Sequence, residues 1–172
     1  MKVNISVFGR FHAFDLAKQL DKAGILNKLI TTYPKFKVRE WGINHNKVVS
    51  QFPLEMLNRF NSKSKLNSDW FNNYLKIIHA KNSIKYLDNC DVFIGWSSSS
   101  LETLIEAKKK GIITILTRGS AHYNDQQNIL IDEFNKQNLR FNPNHYSWKR
   151  ELAEYDLADY ISIGSSFVKK SF

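Results

Sequence analysis

The stretch Asp91–Thr117, DVFIGWSSSSLETLIEAKKKGIITILT, decides how the chain folds. Asp91–Gly95 is a short apolar run with no helical period, which predicts a buried strand. Ser99 and Glu102 stand at the S-x-x-E spacing of a capping box and predict a helix start. Leu101, Leu104 and Ile105 supply its inward face. Lys108–Lys110 suit the negative end of that helix, and Gly111 suits the position beyond it. Gly111–Thr117 is a second apolar run. Two such strands joined by a helix imply a parallel sheet covered on both faces, with right-handed crossovers.

The same alternation extends outward. Lys2–Phe8 reads as a first strand, and Ala13, Leu16, Ala17 and Leu20 follow at helical spacing. Gly24 closes that helix, and Leu26–Thr32 is a strand stopped by Pro34. Residues 34–66, with Pro34, Gly42 and Pro53, predict a long irregular excursion holding one short helix at Leu54–Phe60. Asp69 caps a helix running to about Leu87, with Phe71, Tyr74, Leu75 and Ile78 on one face. After Gly111–Thr117 come a turn at Arg118-Gly119-Ser120, a helix to about Leu139, a break at Pro143 and a helix at Trp148–Leu157. Tyr160–Ile163 predicts the last strand, and Ser165 and Ser166 open a final helical turn. One domain over residues 1–172 is expected.

Composition narrows the class. The chain has 172 residues, 42% apolar and 24% charged, which suits an ordinary globular core. Its lone Cys90 allows no internal disulfide and points to a reducing compartment. No apolar run approaches the ~18 residues of a membrane span, and the N-terminus has no signal-peptide pattern. Residues 1–90 carry 15 basic and 6 acidic side chains, whereas residues 91–172 carry 10 of each. Such a basic half suits nucleic acid, an anionic membrane surface or phosphorylated substrates; a solvated Lys-rich surface explains it equally well.

In an open parallel sheet, ligands bind at the carboxyl ends of the strands where the strand order reverses. Three loops with unusual residues leave such ends, and the fold predicts that they share one edge. Gly9, Arg10 and His12 form a glycine turn before a helix N-terminus, without the G-x-G-x-x-G or Walker pattern. Ser97 and Ser98, after Trp96, offer hydroxyls that either bind a sugar or cap the next helix. Arg118, Gly119, Ser120 and His122 combine a cation, a flexible turn, a hydroxyl and an imidazole. Glu151 and Glu154, one helical turn apart beside Lys149 and Arg150, read as a solvated ion-pair face. His122 and Asp125 alone do not make a metal site. Tyr33, Phe36 and Trp41 interleave with Lys35, Lys37 and Arg39, as in single-strand binders, but no nucleic-acid module surrounds them.

FGRFHAFDLAKQLDKAG (Phe8–Gly24), RGSAH (Arg118–His122) and RELAEYDLADYISIGSSFVKKSF (Arg150–Phe172) together resemble the amino-terminal lobe of a family 4 glycosyltransferase of the two-lobed B-type (GT-B) fold. Glu151, Glu154, Ala158, Asp159, Ser166 and Phe167 match the order of the family's E-x-x-E-x-x-x-A-D run and of the Ser and Phe that follow it; Gly164 replaces the family's usual proline. The resemblance implies an α/β, Rossmann-like lobe that binds the acceptor and forms one wall of a cleft. It implies a retaining, hexosyltransferase-like reaction in carbohydrate biosynthesis, with a nucleotide-sugar donor as co-substrate and no obligatory metal. A carboxy-terminal lobe, absent from this sequence, would hold the donor, so the chain is expected to be a truncated half, inactive alone. By the same resemblance Gly9 closes against donor phosphates or acceptor with Arg10 and His12 beside it. His122 is the catalytic candidate near the transferred sugar, and Arg118, Gly119 and Ser120 shape its turn.

The expected partners are a sugar or lipid-linked acceptor, a nucleotide sugar and an anionic membrane surface, with a cytoplasmic setting at the inner membrane face. A non-catalytic sugar- or nucleotide-binding module remains open as an alternative. A basic nucleic-acid-binding domain is the weaker one.

Overall fold

The computed structural model describes residues 1–63 and 69–172, and the last three positions of the 34–66 excursion lie outside them. Six strands form one sheet: β1 (Val3–Val7), β2 (Leu26–Thr31), β3 (Val48–Ser50), β4 (Val92–Trp96), β5 (Ile113–Arg118) and β6 (Tyr160–Ile163). Their spatial order is β3-β2-β1-β4-β5-β6, and every neighbouring pair is parallel. The order therefore reverses between β1 and β4, as in the Rossmann-like arrangement the sequence predicts.

Among the described residues, eight α-helices connect and cover the strands: α1 (Ala13–Lys22), α2 (Lys35–Arg39), α3 (Phe52–Lys63), α4 (Asp69–Ile84), α5 (Leu101–Lys109), α6 (Tyr123–Lys136), α7 (His145–Leu157) and α8 (Ser166–Ser171). Alternation along the strands splits the core in two. Val3, Ile5 and Val7 of β1 join Ile94 and Trp96 of β4 against Phe14 and Ala17 of α1. Phe93 and Leu116 face the other way, onto Leu104 and Ala107 of α5 and Tyr155 of α7.

The second face of β1 is polar although buried. Asn4 donates to the Tyr86 carbonyl (2.6 Å), and the Ser6 hydroxyl lies 3.0 Å from His79 Nε2 and 3.1 Å from Ser83 Oγ. Pairing removes the cost of burying these groups. Burial also pushes the His79 imidazole down to about 3, so it is neutral against the sheet.

The irregular excursion predicted for residues 34–66 contains more structure than the sequence signals. Val48–Ser50 pairs with Leu29–Thr31 as the edge strand β3. The helix predicted at Leu54–Phe60 extends over Phe52–Lys63, because Pro53 sits in its first turn, where a missing N–H costs nothing. α7 likewise starts earlier than predicted, at His145, where the Asn144 side chain accepts from the Ser147 N–H. On α4 the buried side is Asn73, Leu75, His79, Ala80 and Ser83, whereas Tyr74 is exposed.

Candidate functional site

At the reversal point the carboxyl ends of β1, β4 and β5 open into a cavity of about 820 Å³. Gly9, Arg10, Phe11 and His12 line it from the first loop, Trp96–Ser99 from the second, and Arg118, Gly119 and Ser120 from the third. Glu55 and Asn58 of α3 and Asn72 and Lys76 of α4 complete the wall. All eight substrate-contact candidates of the sequence analysis therefore lie around one space.

The first loop is held by its neighbours on β2. Gly9 has φ +99°, which its missing Cβ permits. Its N–H donates to Thr32 Oγ1 (2.9 Å), and its carbonyl accepts from Thr31 Oγ1 (2.5 Å). Thr32 in turn donates to Glu55 (2.8 Å), whose second oxygen accepts from Arg59. Arg10 lies 4.9 Å above the Trp41 ring, and the His12 ring is 5.4 Å from that of Trp96. His12 stands at the N-cap of α1, but its side chain makes no hydrogen bond to the helix start. Trp96 is buried, and its indole N–H has no partner among the described residues.

The second loop is built from a distance of more than fifty residues. Glu154 of α7 is fully buried and accepts from the backbone N–H groups of Ser98 (2.5 Å), Ser100 (2.8 Å) and Leu101 (3.0 Å). It thereby supplies the cap that the sequence analysis gives to the Ser99/Glu102 box. Glu102 instead takes a bidentate pair from Arg150 (2.8 and 2.5 Å), and Arg150 also donates to the Ser98 carbonyl. Burial pushes the Glu154 carboxyl up to about 7, against the opposing pull of the loop N–H groups and Arg150. Ser98 has φ +70°, and its hydroxyl accepts from Lys76 Nζ (3.1 Å). Burial lowers the Lys76 ammonium from its ordinary value, while Glu151 and Glu154 oppose that shift.

The third loop carries an internal ion pair. Arg118 donates to Glu151 (2.5 Å), Gln126 (2.7 Å), Ser97 (3.3 Å) and the Ala121 carbonyl (3.2 Å). Glu151 also accepts from the Tyr155 hydroxyl (2.9 Å), and burial raises its pKa against the pull of Arg118. The predicted solvated face at Glu151 and Glu154 is thus corrected: both are buried, because α7 packs onto α5 and turns them inward. Asp159, next in that segment, accepts from the Thr114 N–H and hydroxyl (both 2.8 Å) and pairs with Lys108, which holds its carboxyl down at about 2. The segment behind the resemblance therefore braces the cavity loops from behind.

His122 is placed elsewhere. It is the N-cap of α6, where Nδ1 accepts from the Asn124 N–H (3.2 Å) and its own N–H donates to Ser171 Oγ (2.8 Å). Its ring packs against Tyr155 and Phe172, with centroids 5.0 and 4.9 Å away. It joins α6, α7 and α8 and does not line the cavity. Glu55, Asn58, Asn72 and Lys76 are lining residues the sequence did not signal, since α3 and α4 reach the rim only through the sheet crossover. No group of three or more His, Cys, Asp or Glu residues suited to a metal occurs among the described residues. Nor is any helix among them long and apolar enough to cross a membrane.

No known protein family matches the sequence, and no curated protein does. Among solved structures, the chain is similar to a UDP-N-acetylglucosamine 2-epimerase, with a TM-score of 0.54 at 11% identity. The likeness covers 99% of this chain and 44% of that one, so this chain spans less than half the length of the epimerase. At that identity the likeness concerns the fold: a Rossmann-like lobe of the kind found in two-lobed GT-B-like enzymes.

Proposed function

We propose that this chain is the acceptor-side lobe of a retaining glycosyltransferase, a wall of the cleft in which a glycosyl group leaves a nucleotide sugar. The observation that carries this reading is the convergence of the Gly9, Ser97 and Arg118 loops on one cavity at the strand reversal. The local chemistry supports it. The His12 side chain leaves the start of α1 uncapped among the described residues, so its N–H groups and positive end suit a phosphate or sugar oxygen. The Trp96 indole N–H is a second unspent donor. The start of α5 is closed to an outside anion, because Glu154 already occupies its N–H groups. Arg118 is neutralised by Glu151 and acts by holding Ser97, with Gly119 and Ser120 forming the rim. His122, catalytic by the resemblance, acts in this reading by fixing the start of α6 behind that rim. A carboxy-terminal donor lobe would complete the cleft.

A lobe that handles a nucleotide sugar without transferring it is the second reading, favoured by the neighbour's name. Titrating the 172-residue chain with UDP-glucose and UDP-N-acetylglucosamine, followed by backbone amide NMR, tests the second reading directly. That reading expects shifts at Gly9, Ser97 and Gly119, and their absence with both donors overturns it. Joined to a donor lobe, the transferase reading requires UDP release that depends on a sugar acceptor. No UDP release from either donor, with or without an acceptor, favours the second reading.

A further inference from the structure

The main cavity has a neighbour on the other side of α4. Asn72 and Lys76 face the main cavity, whereas Asp69, Trp70, Asn73, Tyr74 and Ile77 of the same helix line a separate space of about 420 Å³. Its far wall is Asn142–Asn144 and Tyr146, from the segment leading into α7. A space of that size lies in the range of small-ligand sites.

Its chemistry is specific. Trp70 and Tyr74 stand one helical turn apart with their rings stacked, 5° from parallel and 5.7 Å between centroids. Trp70 is still 71% exposed and Tyr146 51%, which leaves much of both rings in water. Around the rings stand amides and one carboxylate. Asn73 Oδ1 accepts from the Ser147 hydroxyl and Asn144 Oδ1 from the Ser147 N–H, so each side-chain carbonyl is fixed in place within the chain. Their NH₂ groups have no partner among the described residues and can donate to a ligand, and Asp69 can accept. Among the described residues no lysine or arginine lines the space.

A flat aromatic ledge with amide donors and a carboxylate acceptor suits a neutral pyranose ring. One face of such a ring is C–H and packs on an indole, while its hydroxyls both donate and accept around the edge. We propose that this space binds one sugar unit of an uncharged saccharide, with Trp70 and Tyr74 as the platform and Asn73, Asn144 and Asp69 reading the hydroxyls. Under the proposed function it would hold a distal unit of the acceptor, but the site itself does not depend on that reading.

Saccharide titration of the full 172-residue chain tests it, with maltose, cellobiose and N,N′-diacetylchitobiose as probes at up to about 50 mM, the range of weak single-ring binding. The expected result is saturable shifts of the Trp70 indole and the Asn73 and Asn144 side-chain amides with at least one probe. Trp70→Ala should weaken that binding at least tenfold, and Trp70→Phe less, because a smaller ring remains. Trp70 is exposed, so loss of folding is not expected in either variant; an unchanged urea midpoint checks this. No saturable shift with any of the three, or equal binding by Trp70→Ala, overturns the proposal. So does displacement of the saccharide by UMP from the Trp70 signals. The Gly9 and Gly119 amides, read in the same titrations with nucleotide sugars, report the main cavity separately. Failure at one set of signals therefore does not imply failure at the other.

Discussion

Two buried side chains set opposite responses to acid. Glu154 has a folded value of about 7 against an ordinary 4.5, so folding holds its proton. Its stabilising contribution is complete below pH 4.5 and is lost as the pH rises through 7. His79 has a folded value of about 3 against an ordinary 6.5, so folding holds it neutral. Its contribution is complete above pH 6.5 and is lost as the pH falls towards 3. Between pH 4.5 and 6.5 the two slopes, each about 1.4 kcal/mol per pH unit, oppose one another. Glu154→Gln removes one of them. Urea denaturation should then show the stability of wild type relative to this variant increasing from pH 7 to pH 4.5. A difference independent of pH would show that Glu154 ionises normally in the fold. At the neighbouring pair, Glu151→Ala leaves Arg118 buried without its carboxylate and should cost about 3–5 kcal/mol. The double variant Arg118→Met/Glu151→Leu should recover much of that loss, measured by the same urea midpoints, because two apolar side chains replace two desolvated charges.

At the scale of elements, the β4–α5 turn packs closely against Gly95. A Cβ on Gly95 would lie 2.4 Å from Ser100 Oγ, 2.8 Å from Ser100 Cβ and 3.0 Å from the Phe93 ring. Gly95→Ala should therefore destabilise by about 1–3 kcal/mol through overpacking. Adding Ser100→Ala should not restore stability, because the Ser100 Cβ remains in the way and its hydroxyl bond to the Trp96 carbonyl is lost. Thermal denaturation of the single and double variants checks both statements, and full recovery in the double variant would count against them. α7 is the matching brace. Arg150, Glu151 and Glu154 leave its one inward face towards α5, the Ser98 turn and Arg118, so one helix orients two of the three cavity loops.

Across the whole molecule, β2 and α3 steady the first loop as α7 steadies the other two. Thr32 links them, accepting from Gly9 and donating to Glu55. Thr32→Val leaves the Gly9 N–H without its acceptor, at a cost of about 1–3 kcal/mol. Under the proposed function it should weaken nucleotide-sugar binding several-fold, while saccharide shifts at Trp70 stay unchanged. Calorimetric titration beside the NMR experiment reads the two sites independently, and parallel loss at both would mean that they are one continuous surface.

The sequence by itself determined the layered α/β architecture. Its apolar runs at β1, β2, β4 and β5 and the helical spacing of Ala13–Leu20 are local patterns, and a parallel sheet is their simplest solution. It also determined that the Gly9, Ser97 and Arg118 loops share an edge, since strand polarity alone requires that. Only the tertiary structure decided what those loops touch. Val48–Ser50 is too short to signal a strand without β2 beside it. Glu154 resembles a surface carboxylate until α7 docks and points it at the Ser98 turn. His122 belongs to the same local sequence as Arg118, yet helix packing turns it away from the cavity. Trp70 and Tyr146 meet across one space only because α4 and the segment before α7 fold together. The physical reason is common to all four: local propensity sets the periodicity of an element, whereas the partner of a buried charge or ring is fixed by packing between elements distant in the chain.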